Sequence, residues 1–285
     1  MARELSREYR DYMKKRLESM PAEGPTPEQI AETRKNPPRP QLPGDLECEE
    51  VLLRGTRCIW TKTPGAPADK AVMYIHGGGF EYATAEASAQ FTAEITRRSG
   101  INALAVEYRA LPDHPYPVPL FDCAAAFLGL LDAGYLPENI VVTGESAGGC
   151  LTANLPMLLK AIGMPVPGAV APLSCSFDNF GGSDFKGYTA FVDQKNPILS
   201  PLYGDLSGYP TTYISNGTED LDQTFGAAAP AFCGALEKAG VACQLDVLDG
   251  LGHAPCLDFG NYPEADEALD LLVGFLKKAL HVAEC

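Results

Sequence analysis

The chain has 285 residues, a length that suits one large domain able to bury roughly three quarters of its unfolded surface. Hydrophobic residues make up 46% and charged ones 21%, so a sizeable core is available without metals or disulfides. A formal charge of -15 argues against a nucleic-acid backbone or an anionic membrane face as partner.

The amino-terminal stretch places Leu5, Tyr9, Tyr12, Met13, Leu17 and Met20 at helical spacing, which predicts an amphipathic helix over 3–20. It is charged throughout and lacks the apolar core of a secretory signal. A proline-rich stretch follows. Thr26 before Pro27 reads as a second helix start, and "PPRPQLPG" as an extended connector. Residues 1–45 are therefore expected to stand apart from a main body at 46–285.

From residue 46 the pattern alternates between strands and helices. Strands are predicted at 46–53, 57–62, 71–75, 102–107, 139–143, 168–174, 211–215 and 242–248. Helices are predicted at 85–99, 119–132, 147–161, 223–239 and 263–280. The first two strands, three residues apart, read as a hairpin. The later ones are short, apolar and separated by helices, which predicts an α/β fold: a mostly parallel eight-stranded sheet covered by helices on both faces. Residues 175–205 break the rhythm with Phe177, Phe180, Phe185, Tyr188, Phe191 and Tyr203. A long irregular insertion of this kind is expected to be a functional lid rather than a plain connection.

Nine cysteines form no C-x-x-C pair, and several sit in apolar runs. They read as mostly buried free thiols of a reducing, cytoplasmic protein. No apolar run approaches the roughly 20 residues of a membrane span, and no cluster of metal ligands stands out.

The chemistry concentrates in two stretches. "AVMYIHGGGFEYA" runs a buried strand into His76 and the glycines Gly77, Gly78 and Gly79. "NIVVTGESAGGCLTANL" carries G-x-S-x-G between a strand and a helix, with Ser146 at the sharp turn. Such a turn lifts the serine Oγ clear of its surroundings, and the helix starting at Ala147 aims free N–H groups at the reacting atom. "HGGGF" has no P-loop lysine, so its bare backbone suits an oxyanion better than a phosphate.

Ser146 needs a base and the base needs a carboxylate. Of four histidines, His253 in "VLDGLGHAPCLDF" follows the last strand, where a parallel sheet delivers a loop to its carboxyl edge. The acid is sought after strand 211–215. Asp220 is the choice there, with Asp222 its competitor and Glu219 third.

Together "HGGGF", "EYRALPDHPYPVPLFDC", "GESAGG", "LSPLYGDLSGYPTTYISNGTEDL" and "GLGHAPCLDF" resemble the hormone-sensitive-lipase-like branch of the α/β-hydrolase fold, over about residues 70–281. The resemblance implies Ser146 as nucleophile, His253 as general base then acid, and Asp220 as orienting carboxylate. It implies an oxyanion hole from Ala147 and two of Gly77, Gly78 and Gly79. It also implies a cap made from 1–45 and the insertion at 175–205. The chain departs from the usual spelling at Glu145, where aspartate is common, and in the acid loop "GTEDLD". The expected activity is hydrolysis of small-molecule carboxylic esters with short to medium acyl chains. It needs no cofactor and no metal. An amidase or deacetylase with the same machinery, or a binding protein on this scaffold, are the alternatives. The final strand edge and helix are where two copies could pair as a homodimer.

Overall fold

The computed structural model describes residues 4–19, 26–37, 42, 44–82, 84–178, 186–189, 192–221 and 226–283. Phe180, Phe185, Phe191 and Asp222, all named above, lie outside them.

Eight strands form one sheet in the order β1-β2-β4-β3-β5-β6-β7-β8. They are β1 (Glu47–Leu53), β2 (Thr56–Lys62), β3 (Ala71–Ile75), β4 (Ala103–Val106), β5 (Ile140–Glu145), β6 (Ala169–Leu173), β7 (Thr211–Gly217) and β8 (Cys243–Leu248). β1 and β2 form the expected hairpin, and β2 also runs antiparallel to β4. All other neighbours are parallel. β3, β5 and β6 are buried along their whole length, which is why they read as continuous apolar runs.

Helices α1 (Arg7–Ser19) and α2 (Pro27–Lys35) precede the sheet. α2 begins as its sequence predicts: Thr26 and Gln29 form a reciprocal capping box, with Pro27 in the first turn. Next come α3 (Ala85–Ser99), α4 (Val118–Asp132) and α5 (Ala147–Ala161), then two single turns, α6 (Lys186–Thr189) and α7 (Thr218–Leu221). α8 (Ala229–Lys238) and α9 (Pro263–Ala279) complete the set. Of the helix expected over 223–239, residues 223–225 lie outside the described residues, 226–228 are not helical, and the described helix starts at Ala229. Pro230 lies in its first turn, and a proline ring further inside would clash with the preceding turn.

The sheet separates two cores. One holds Leu104, Phe127, Leu151, Val170 and Phe232, and the other Val72, Phe91, Ala171, Leu269 and Leu276. Two described aromatics of the 175–205 insertion pack inward. Phe177 stacks on Phe232, and Tyr188 on Phe80 beside the glycine loop. Among the cysteines, Cys58, Cys123, Cys150, Cys175 and Cys256 are buried free thiols, as expected, and Cys48 is exposed and free. Cys233 and Cys243 depart from that expectation and form a disulfide: adjacent packing of α8 on β8 brings their Cα atoms to 5.7 Å. No described helix is long and apolar enough to cross a membrane.

Candidate active site

The strand order reverses at β3: the chain passes from β3 to β4 on one side, then returns to β5 on the other. In an open parallel sheet, ligands bind outside the carboxyl ends of the strands at such a switch point. Both motifs lie there. Ile75 pairs with Gly144, so His76 and its glycines leave β3 beside the turn that leaves β5.

That turn is strained. Ser146 has φ 56° and ψ -124°, a left-handed conformation that non-glycine residues avoid without compensation. Its N–H donates to the Leu173 carbonyl at the end of β6, which pins the turn to the sheet. The flanking glycines are required by close approach. A Cβ on Gly144 would come within 2.4 Å of the Ile75 carbonyl oxygen, and one on Gly148 within 2.0 Å. Ser146 is thus half-buried at the mouth of a tightly packed elbow.

The glycine loop is held carbonyl by carbonyl. Tyr108 Oη donates to the His76 and Gly77 carbonyls at 2.9 and 3.2 Å, and the Gly78 carbonyl accepts from Glu81 and Tyr82 N–H. In a planar trans peptide the N–H points opposite to the carbonyl, so Gly78 and Gly79 N–H face away from those partners. Neither has a hydrogen-bond partner among the described residues. Positive φ values of 91° and 63° make glycine the suitable residue at both. Gly77 differs. Its N–H donates to Glu145 Oε1 at 2.6 Å, so the expectation that any two of the three glycines are available narrows to Gly78 and Gly79.

The candidate base and acid come from the other side of the sheet. Thr218 Oγ1 accepts the Gly250 N–H, and Glu219 N–H donates to the Leu251 carbonyl. These bonds stitch α7 to the loop after β8. His253 Nδ1 then lies 2.8 Å from Asp220 Oδ1, a contact in which the imidazole N–H donates to the carboxylate. Asp220 is nearly sealed from solvent, at 2% side-chain exposure, whereas His253 is 42% exposed. Ala254 N–H donates to Ser174 Oγ, which ties this loop to the residue after Leu173, the partner of Ser146.

The competing histidines are elsewhere or unsuited. His281 lines a groove at the opposite, amino-terminal edge of the sheet, with Gly168 and Thr211. His76 is buried, which pushes its imidazole down to about 4, and its Nδ1 is committed to the Gly77 carbonyl. Among the described residues no group of His, Cys, Asp or Glu is placed to hold a metal ion.

α1 and the residue before it reach this loop and the start of α9 from outside. Ser6 donates twice to Glu264, Tyr9 Oη to the Gly250 carbonyl, and Tyr12 and Arg16 to Asp258 at 2.7 and 3.0 Å. These partners were not legible as a site in the sequence, because they lie some 240 to 258 residues apart in the chain.

An elbow serine, a facing loop of free N–H groups and a histidine–carboxylate pair on one sheet edge are the parts of an acyl-transfer hydrolase. The chain belongs to the alpha/beta hydrolase fold family, whose pattern matches residues 72–257, and to its hormone-sensitive-lipase branch. It is 35% identical over 243 residues to the Esterase LipU of Mycobacterium tuberculosis, covering 75% of this chain and 80% of that protein. It is 26% identical over 257 residues to an acetyl-hydrolase of Streptomyces hygroscopicus, with 83% of each chain covered. The crystal structure of an esterase from the bacterial hormone-sensitive lipase family superposes with a TM-score of 0.83. The identity there is 28%, over 98% of this chain and 100% of that one.

Proposed function

We propose that this protein is a serine carboxylesterase acting on small-molecule esters of short to medium acyl chains. The observation that carries the reading is the approach of the glycine loop to the elbow: a Cβ on Gly77 would lie 3.0 Å from Ser146 Cβ. The loop that carries the free Gly78 and Gly79 N–H groups therefore starts beside the nucleophile.

In the mechanism, Ser146 Oγ attacks the ester carbonyl while His253 Nε2 takes its proton. Asp220 keeps the His253 Nδ1–H committed, which leaves Nε2 as the base. The developing oxyanion lies between the N–H groups of Gly78, Gly79 and Ala147, the last at the start of α5. His253 protonates the departing alcohol, and an acyl-enzyme remains on Ser146. Water then repeats the sequence: it loses a proton to His253, releases the acid and restores the serine. Ester and water supply every atom of this cycle, so it needs no cofactor.

Residues 1–45 and the insertion at 175–205 are proposed as the cap. Arg34 of α2 donating to the Leu111 carbonyl, and Tyr116 N–H donating to the Tyr188 carbonyl, support that placement. The esterase and acetyl-hydrolase activities in the relatives' names support a small acyl group.

The test is hydrolysis of p-nitrophenyl esters from C2 to C12 beside matching anilides. The shortest esters are expected to turn over fastest, and Ser146→Ala to lose at least about 10⁴-fold in kcat. Full turnover by Ser146→Ala would sink the reading, and anilides cleaved faster than esters would replace it with an amidase.

A further inference from the structure

Glu145 is the one point in the nucleophile motif where the chain departs from the usual aspartate, and its side chain does not face the substrate. It is buried, and both carboxyl oxygens are used. Oε1 accepts the Gly77 N–H at 2.6 Å and Oε2 accepts the Tyr74 hydroxyl at 2.5 Å. The carbonyl of the same His76–Gly77 peptide accepts from Tyr108. One peptide plane is thus gripped at both ends, by Tyr108 at its oxygen and by Glu145 at its nitrogen.

Packing contributes less to holding this loop. A cavity of about 240 Å³, lined by Tyr74, His76, Gly78, Phe91, Glu145 and Phe259, adjoins it. A Cβ on Gly79 would touch only Tyr82, at 3.9 Å. Hydrogen bonds therefore fix the loop where neighbouring side chains do not fill the space.

We propose that Glu145 is a positioning residue, whose carboxyl takes the Gly77 N–H out of the oxyanion hole and so aims the next two N–H groups, those of Gly78 and Gly79, at the substrate oxygen. The effect follows from planarity. Fixing the His76–Gly77 plane restricts where the Gly77–Gly78 plane can turn, and that second plane carries the Gly78 N–H. A donor misplaced by a few tenths of an ångström stabilises the transition state less while leaving ground-state binding almost untouched. The longer glutamate arm reaches Gly77 across the elbow. It also leaves Tyr74, which burial holds in its protonated form, as the donor on the far side. The catalytic consequence rests on the esterase reading. The geometric one, that the carboxyl protects Gly77 N–H, does not.

The experiment compares the full-length wild type with Glu145→Met and Glu145→Gln at pH 8. Methionine fills the buried space without an oxygen, and glutamine keeps a carbonyl acceptor at the same reach. With p-nitrophenyl acetate, Glu145→Met is expected to lose about 100-fold in kcat with KM within about 3-fold, since one oxyanion donor is worth 10²–10³ in rate. Glu145→Gln is expected to recover most of that loss. Hydrogen–deuterium exchange across residues 76–79 is expected to accelerate at least about 10-fold in the methionine variant and to stay near wild type in the glutamine one. The proposal is overturned if Glu145→Met keeps kcat within about 5-fold of wild type, if its loss lies in KM, if glutamine is as damaging as methionine, or if exchange is unchanged. A wild type that hydrolyses no ester would refute the esterase reading, and the exchange measurement would still decide whether Glu145 clamps the loop.

Discussion

The two halves of the site are built by different means. In the half at β3 and β5 the elbow is made by close packing: backbone passes backbone at Gly144 and Gly148 so tightly that no Cβ fits, and Ser146 is forced into a strained turn, while the glycine loop beside it is held by hydrogen bonds from Tyr108 and Glu145. The half at β7 and β8 is made by hydrogen bonds between loops, with His253 42% exposed and its loop held from outside by α1. The elbow of the first half is rigid because it belongs to the sheet. The second depends on contacts that can be removed singly. Substitutions should therefore be all-or-none at the elbow and graded wherever hydrogen bonds hold the loops.

The largest graded effect is expected at Asp220, the proposed acid. Asp220→Asn keeps the shape but turns a hydrogen-bond acceptor into a group able to donate, which favours the wrong histidine tautomer. We expect kcat to fall about 10³- to 10⁴-fold with little change in thermal midpoint. Asp222→Asn should stay within about 5-fold. Steady-state kinetics on both variants decide the matter, and a collapse confined to Asp222→Asn would transfer the role of acid to that residue.

This contrast also explains what the sequence could reveal. Packing at the elbow leaves a local signature, because only glycine fits at fixed distances from the serine. "HGGG" and "GESAGG" are therefore readable one residue at a time. The strands and most helices were legible for a similar reason: burial imposes a period along the chain. His253 and Asp220 could be singled out only by their places after strands, since the single turn α7 that carries Asp220 is too short to show a period. The clamp from α1 left no local trace, because Tyr12 and Asp258 are 246 residues apart. Nor did the fate of the Gly77 N–H. Three adjacent glycines look alike in sequence, and only the Glu145 carboxyl distinguishes the first from the other two.

A second prediction concerns stability in the packed half. Burial is the main influence on Glu145 and raises its carboxyl from 4.5 to about 7, against the opposing pull of the Tyr74 and Gly77 hydrogen bonds. Between those pH values the folded chain holds a proton that the unfolded chain has released. Folding stability should therefore fall as pH rises from about 4.5 through about 7, then level off. The full cost is on the order of 3 kcal/mol. Glu145→Gln cannot ionise, so its stability relative to wild type should increase across that window. Urea unfolding of both proteins at pH 5, 6, 7 and 8 measures the gap. A gap that is flat or narrows with pH contradicts the assignment.

The smallest effect is expected where the loop half meets α1. Tyr12→Phe removes one hydrogen bond to Asp258 and leaves the ring packed against Tyr262, 5.2 Å between centroids. Arg16 and Tyr262 still donate to Asp258, so its carboxylate is not stranded. The loss should be about 1 kcal/mol, seen as a lower urea midpoint with unchanged slope. Because Asp258 lies five residues beyond His253, the same change should loosen the loop that carries this proposed base and cut kcat by about 2- to 5-fold. If stability drops while kcat holds, α1 braces the fold without positioning His253. The two halves of the site would then differ in construction but not in how firmly their catalytic groups are held.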